Sequence, residues 1–205
     1  MRTREVWRIA RAGSMARLAR QAEDLPEPGP GEARMAVKAV GLNFADVFAC
    51  LGLYSATPAG PFIPGLECSG VVEAIGPPPR PTGPEDRMTP DIQPGDSVVG
   101  LTRFGAYATA VNVDVRYLRA IPAGWTFAEA AAFPVQALTA WYGLVELGAL
   151  KRGAAVLLHS AAGGVGLNAL AILEYFDARV VATVGREAKR DLLRERFGLP
   201  PEQVV

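Results

Sequence analysis

The sequence predicts an α/β protein: a small, mainly antiparallel β domain over residues 1–121, then the first part of a doubly wound parallel-sheet domain over 122–205. Three observations carry this. The apolar period is close to two as far as residue 118 and close to three and a half after Pro122. Turn clusters, Pro-Glu-Pro-Gly-Pro-Gly-Glu at 26–32 and Gln-Pro-Gly-Asp at 93–96, punctuate the first part. The run Ala-Val-Leu-Leu-His-Ser-Ala-Ala-Gly-Gly-Val-Gly at 155–166 passes from a buried-strand pattern through glycines into a helical one. A second strand-like run at 179–184 follows after a helix-length gap, which makes a βαβ unit.

In chain order, residues 5–10, 33–40, 68–75, 96–101 and 106–113 are short runs rich in Val, Ile or alternating apolar residues, and each is expected as a strand. A short helix is expected at 43–51, capped by Asn43, with Ala45, Val47, Phe48 and Leu51 on its apolar faces. Residues 77–90 carry Pro-Pro-Pro-Arg-Pro and several charges without a core-forming pattern, and read as an exposed loop. Thr-Phe-Ala-Glu at 126–129 is a capping box that opens an alanine-rich helix, and Pro134 interrupts it. A second helix is expected at 136–147, with Gly148 as its C′ stop. After the glycine run and the strand at 179–184 come a charged helix at 186–196, its end at 197–201, and the first residues of a third strand at 203–205. Half of a parallel sheet leaves an unpaired edge and an exposed apolar face. The chain therefore reads as shortened at its C-terminus, poorly stable and weakly active by itself.

Lys plus Arg and Asp plus Glu balance at 21 each, so no overall field recruits nucleic acid or an anionic membrane, and the expected partner is a small molecule. Two cysteines, Cys50 and Cys68, make no disulfide framework and fit a reducing, cytoplasmic setting. Basic residues at the N-terminus are followed by no apolar core of a signal peptide. Residues 153–173 carry no charged side chain apart from His159 and approach the length of a membrane span. Three glycines within four residues break that stretch, and the strand–turn–helix reading replaces a span.

A strand feeding a helix through glycines leaves free N–H groups where the helix dipole favours an anion such as a pyrophosphate. Gly163 and Gly166 fall on the second and third glycines of the dinucleotide fingerprint G-x-G-x-x-G, with Ala161 in place of the first. Ala162, Gly163, Gly164, Val165 and Gly166 are therefore candidate cofactor contacts. NAD-specific sites place an acid about 20 residues further on to hold the ribose 2′-hydroxyl. Here the second strand runs out into Thr183, Val184, Gly185 and Arg186 with no acid, and Lys189 follows. Gly185, Arg186 and Lys189 can take a 2′-phosphate, which favours NADPH. The other reading of Arg186, Glu187, Lys189 and Arg190 is an ordinary solvated helix face.

Three separated segments then agree. Gly-Leu-Asn-Phe-Ala-Asp at 41–46 with Leu53 and Tyr54, Pro-Gly-Leu-Glu-Cys-Ser-Gly-Val-Val at 64–72, and His-Ser-Ala-Ala-Gly-Gly-Val-Gly at 159–166 occur in one order. In that order the chain resembles, over nearly its whole length, quinone oxidoreductases of the medium-chain dehydrogenase/reductase superfamily. Enoyl reductase domains of polyketide synthases and eukaryotic vesicle-associated relatives look similar. The resemblance implies a GroES-like β domain followed by a Rossmann domain, catalysis in the cleft between them, and NADPH-dependent reduction of a quinone or an α,β-unsaturated carbonyl. It also implies a homodimer for the full-length form.

The zinc alcohol dehydrogenase branch has a Cys where this chain has Asn43, a His where it has Leu66, and a four-cysteine lobe that two cysteines cannot build. Metal-free chemistry is expected, and an alcohol dehydrogenase activity is disfavoured. Glu67 remains without those partners, either as a strand-end polar residue or as part of the active site. Hydride transfer to a conjugated carbonyl needs a donor on the oxygen where charge develops. Tyr54 and Asn43 are the candidates, with a core tyrosine as the alternative for Tyr54, and Asn43 is also a candidate cofactor contact. Thr139 matches a family position near the nicotinamide carboxamide, and Gln136 is a further cofactor candidate. Asp46 reads as a helix-turn residue and His159 as structural or cofactor-lining. A non-catalytic NADPH-binding protein, or an inactive fragment of such a reductase, is the alternative to an enzyme.

Overall fold

Alternating apolar and polar side chains build the first part of the protein, whose computed structural model describes residues 2–78 and 91–205. The expected loop at 77–90 thus falls almost wholly outside the described residues. The chain divides into two units, up to Val135 and from Gln136 onward.

In the first unit β1 (Arg2–Ile9) and β2 (Leu18–Leu25) form an antiparallel hairpin. β2 is absent from the sequence reading because Leu-Ala-Arg-Gln-Ala-Glu-Asp-Leu has no β-branched residue and buries only Leu25. It pairs with β1 along its whole length, and charged side chains face one another across the pair. Glu23 accepts from Arg4 at 2.7 Å and pairs with Arg8, while Arg20 pairs with Glu5. Burial would raise the Glu23 carboxyl, but the two guanidiniums outweigh it and hold the group below the usual carboxylate range. Because the folded value is depressed, its stabilisation is present above the unfolded value near 4.5 and is lost as pH falls through the folded one. Glu23→Gln is expected to cost less than about 1 kcal/mol at neutral pH, as for a screened surface cluster. Its deficit should shrink as acid is added, which urea melts at pH 7 and pH 3 will show.

A five-stranded antiparallel sheet runs in the order β6-β3-β4-β5-β7. Its strands are β3 (Glu32–Val40), β4 (Glu67–Ile75), β5 (Ser97–Leu101), β6 (Ala110–Asp114) and β7 (Leu118–Ala120). The strand expected at 106–113 starts only at Ala110. The backbone just before it is spent elsewhere, Tyr107 N–H on Pro64 C=O and Thr109 N–H on Glu5 C=O. β7, at three residues, is too short to show a period. Met35, Cys68, Val72, Val98, Val113 and Leu118 fill the core. Between β3 and β4 lies α1 (Phe44–Leu51), stopped by Gly52 at φ 75°. The capping box opens α2 (Phe127–Ala131) as expected, with Glu129 N–H on Thr126 Oγ1 at 3.2 Å and Thr126 N–H on Glu129 Oε2 at 2.8 Å. This helix packs on β3, β4 and β5 and buries Ala130 and Ala131. The β unit therefore reaches past the change of period at 121/122 to Val135.

Pro134 does interrupt the alanine-rich helix, and it does so as the first residue of α3 (Pro134–Trp141), where its missing N–H costs nothing. The helix then loosens into π turns over Tyr142–Leu147, with Gly148 N–H on Gly143 C=O at 3.0 Å. Gly148 is not the left-handed stop expected: its φ is −80° and Ala149 takes the positive φ of 45°. Glycine fits position 148 for space, since a Cβ there would lie 2.8 Å from the Leu144 carbonyl.

β8 (Ala155–Leu158), α4 (Gly164–Tyr175) and β9 (Arg179–Ala182) form the expected parallel βαβ unit. α5 (Glu187–Phe197) follows and ends on Gly198 at φ 63°. The third strand is present as a single parallel bridge between Val204 and Ala182. Ala161, Leu170, Leu173, Val180, Ala182 and Leu193 make the core on one face of the sheet. On the other face Leu157 and Val181 stand 59% and 41% exposed, where a parallel sheet is ordinarily covered. No helix among the described residues is long and apolar enough to cross a membrane.

Candidate functional site

Two clusters are the candidates for the chemistry, one in each unit. In the first, the chain leaves β3 through Gly41 and enters α1 with Asn43 as an extended N-cap, φ −127° and ψ 151°. Asp46, three residues into the turn, accepts the Asn43 N–H at 2.9 Å and the Tyr107 hydroxyl at 3.0 Å. It is the helix-turn residue expected. Asn43 Nδ2 donates to Glu67 Oε1 at 2.7 Å, and Glu67 Oε2 accepts the Val135 N–H, also at 2.7 Å. Glu67 opens β4 and is completely buried. The backbone is cut away for it, since a Cβ on Gly41 would lie 2.3 Å from Glu67 Oε1 and 2.4 Å from the Ala131 carbonyl.

Burial pushes the Glu67 carboxyl above its ordinary value, against the bonds from Val135 and Asn43, and the Asp46 charge adds to the rise. Burial also raises Asp46, more than the hydrogen bonds from Asn43, Tyr107 and the Gly65 amide lower it. The Tyr107 phenol is driven well up by burial and by the Asp46 carboxylate, so it remains a donor. The Cys68 thiol is pushed up to about 12 by burial and then by the Glu67 charge, which keeps it protonated. Among the described residues no group of three His, Cys, Asp or Glu side chains is gathered to hold a metal ion. Tyr54 follows α1 in a turn, 36% exposed, and no hydrogen bond among the described residues ties its hydroxyl to this cluster. Tyr107 escaped the sequence reading, because nothing local to it announces a partner in α1.

In the second unit β8 runs out into His159 and Ser160, and Ser160 takes a left-handed φ of 55°. Ala161, completely buried, donates its N–H to Thr183 C=O at 3.1 Å. Gly163 then caps α4. At Gly166 a Cβ would lie 2.5 Å from the Ala161 carbonyl oxygen and 2.6 Å from that of Ser160, so glycine lets the helix press onto the turn. At Gly164 a Cβ would meet the Gln136 amide, which places that side chain beside the helix start. Thr139 lies one turn along α3 from Gln136 and is exposed. Ala162 sits half-buried within the turn, and Val165 is exposed. The N–H groups of Gly164, Val165 and Gly166 donate to no backbone or side-chain acceptor among the described residues. They form the donor set a pyrophosphate needs.

His159 Nδ1 lies 3.1 Å from Thr183 Oγ1, joining the ends of β8 and β9. Beyond β9, Gly185 is open and Arg186 caps α5 with an exposed side chain. Arg190 and Arg194 pair with Glu187, and Arg194 also with Asp191. Arg186 and Lys189 make no ion pair among the described residues.

In chain order, an antiparallel β unit precedes a glycine-turn βαβ unit. Residues 29–141 match the alcohol dehydrogenase GroES-like domain. The mycocerosic acid synthase-like polyketide synthase of Mycobacterium tuberculosis is 40% identical over 187 residues, 91% of this chain and 8% of the synthase. Among solved structures, CurK enoyl reductase superposes with TM-score 0.80 and 31% identity, over 96% of this chain and 58% of that one. Escherichia coli quinone oxidoreductase complexed with NADPH gives TM-score 0.82 and 29% identity, over 100% of this chain and 58% of that one. The chain belongs to the medium-chain dehydrogenase/reductase superfamily, in its quinone oxidoreductase and enoyl reductase branch. It spans well under two thirds of the length of these relatives.

Proposed function

We propose that this chain is the NADPH-binding portion of a metal-independent reductase that delivers hydride to a quinone or an α,β-unsaturated carbonyl. The observation that carries the reading is the start of α4, where the N–H groups of Gly164, Val165 and Gly166 meet no acceptor among the described residues and a Cβ at Gly166 would crowd the turn. Gly163, Gly164, Val165 and Gly166 would hold the pyrophosphate, with Ala162 shaping the turn and Gln136 beside it. Arg186 and Lys189 would take the 2′-phosphate across Gly185, and Thr139 would face the nicotinamide side. The quinone oxidoreductase structure with bound NADPH supports this choice of cofactor.

NADPH, when bound, supplies the hydride. The protein's part is orientation and charge stabilisation. The Asn43 amide, held by Glu67, offers a donor to the carbonyl oxygen as enolate charge develops, and the Tyr54 hydroxyl is the second candidate donor. A reducing, cytoplasmic setting goes with this reading, as Cys50 and Cys68 are both buried and unbonded.

Steady-state oxidation of NADPH against a panel of quinones and enones, with and without a chelator, tests the proposal. Turnover on at least one acceptor is expected, unchanged by chelation. Activity that depends on added metal would restore the alcohol dehydrogenase reading, and NADPH binding without turnover on any acceptor would mark a non-catalytic binder.

A further inference from the structure

The carboxylate of Glu67 has no exposed surface, and three parts of the first unit are shaped around it. Its two oxygens each take one donor, Asn43 Nδ2 on Oε1 and the Val135 N–H on Oε2. Gly41 leaves out a side chain where the carboxylate lies. The Val135 N–H belongs to the first turn of α3, where the helix dipole favours a negative group.

We infer that Glu67 is a positioning residue that fixes the side-chain amide of Asn43 with its nitrogen turned toward the carboxylate, so that Asn43 serves the reaction as a donor. The inference rests on the reductase reading above. A carboxylate accepts and does not donate, so an asparagine facing it has one favourable orientation of its amide. One Nδ2 hydrogen is spent on Oε1, and the other is what Asn43 offers to a substrate oxygen. Asp46 fixes the backbone of the same residue through the Asn43 N–H, and Tyr107 in turn holds Asp46. Asn43 is thereby set at both its main chain and its side chain.

The substitution Glu67→Gln keeps shape and removes one acceptor. The Val135 N–H cannot turn round, so the glutamine oxygen stays with it and the glutamine nitrogen faces Asn43, whose amide must then turn over. The double variant Asn43→Asp, Glu67→Gln restores a matched donor–acceptor pair with reversed polarity, but residue 43 no longer carries a donor. E67Q is expected to lower the melting temperature and to reduce kcat by at least about tenfold, the effect of losing one well-placed hydrogen bond to developing charge. The double variant is expected to recover the melting temperature while kcat stays low. If E67Q keeps wild-type kcat, or if kcat returns together with stability in the double variant, the pair is structural and the inference is overturned.

A second readout needs no turnover. In the wild-type protein one side-chain amide hydrogen of Asn43 should be shifted downfield and protected from exchange in NMR spectra, and E67Q should abolish this. A chain that shows that signature but turns over no acceptor sinks the reductase reading and leaves the orientation of Asn43 standing. Absence of the signature from the wild type sinks the orientation itself.

Discussion

Gly166→Ala is expected to destabilise the protein and to remove dinucleotide binding together. The added methyl would stand 2.5 Å from the Ala161 carbonyl oxygen and 2.6 Å from the Ser160 carbonyl oxygen, well inside contact distance. Both obstacles are backbone, and Ala161 is pinned in turn by its N–H on Thr183 C=O, so α4 has to lift off the turn. Overpacking of this kind costs about 1–3 kcal/mol. The gain in helix propensity from glycine to alanine, about 1 kcal/mol, opposes it without outweighing the upper part of that range. Lifting the helix also moves the amides of Gly164, Val165 and Gly166 relative to the turn. Gly163→Ala is the matched control for the melt alone, because its Cβ would lie 3.2 Å from a single carbonyl oxygen and needs only a small adjustment. Thermal melts compare the two variants, and fluorescence titration with NADPH compares Gly166→Ala with the wild type. A Gly166→Ala protein with wild-type melting and affinity would mean that the close approach of helix to turn is not what the glycine serves.

Replacing Arg186 and Lys189 together by alanine is expected to weaken NADPH about tenfold to a hundredfold and to leave NADH almost unchanged. Arg190 and Arg194 are already engaged by Glu187 and Asp191 on α5, whereas Arg186 and Lys189 are exposed and make no ion pair among the described residues. A charge-assisted bond to a phosphate is worth about 1.5–3 kcal/mol, less where water screens it, and each 1.4 kcal/mol is a factor of about ten. The wild-type preference for NADPH should fall as salt is raised, because exposed charges are screened. Parallel titrations of both cofactors at two ionic strengths make the comparison. Equal losses for NADPH and NADH would place these cations on the pyrophosphate or the fold rather than on the 2′-phosphate.

The residues that could be read ahead of the structure are those whose partners lie close in sequence. The spacing of Gly163 and Gly166 after a β pattern sets the turn, and Thr126 with Glu129 sets the start of α2, each within a few residues. What escaped depends on distant contacts. β2 pairs with β1 along its whole length, with Arg4, Arg8 and Arg20 facing Glu23 and Glu5 across the hairpin, which no period in Leu18–Leu25 reveals. Glu67 stood between two readings in the sequence because its meaning depends on Asn43, Val135 and the space left by Gly41. Tyr107 joins the cluster through Asp46, from another part of the β unit. Gly148 was legible as a glycine at a helix end but not in its reason, since φ −80° shows that crowding by Leu144 and not a left-handed turn selects it.

We propose the opening of α4, with the cations beyond β9, as the NADPH site. Titration of the 205-residue wild-type chain with NADPH and with NADH, followed by nicotinamide fluorescence, tests this most directly. Saturable 1:1 binding of NADPH, at least about tenfold tighter than NADH, is the predicted result, as one phosphate held by two cations implies. No saturable binding of either cofactor, or NADH bound as tightly as NADPH, would mean that this turn and these cations are not an NADPH site.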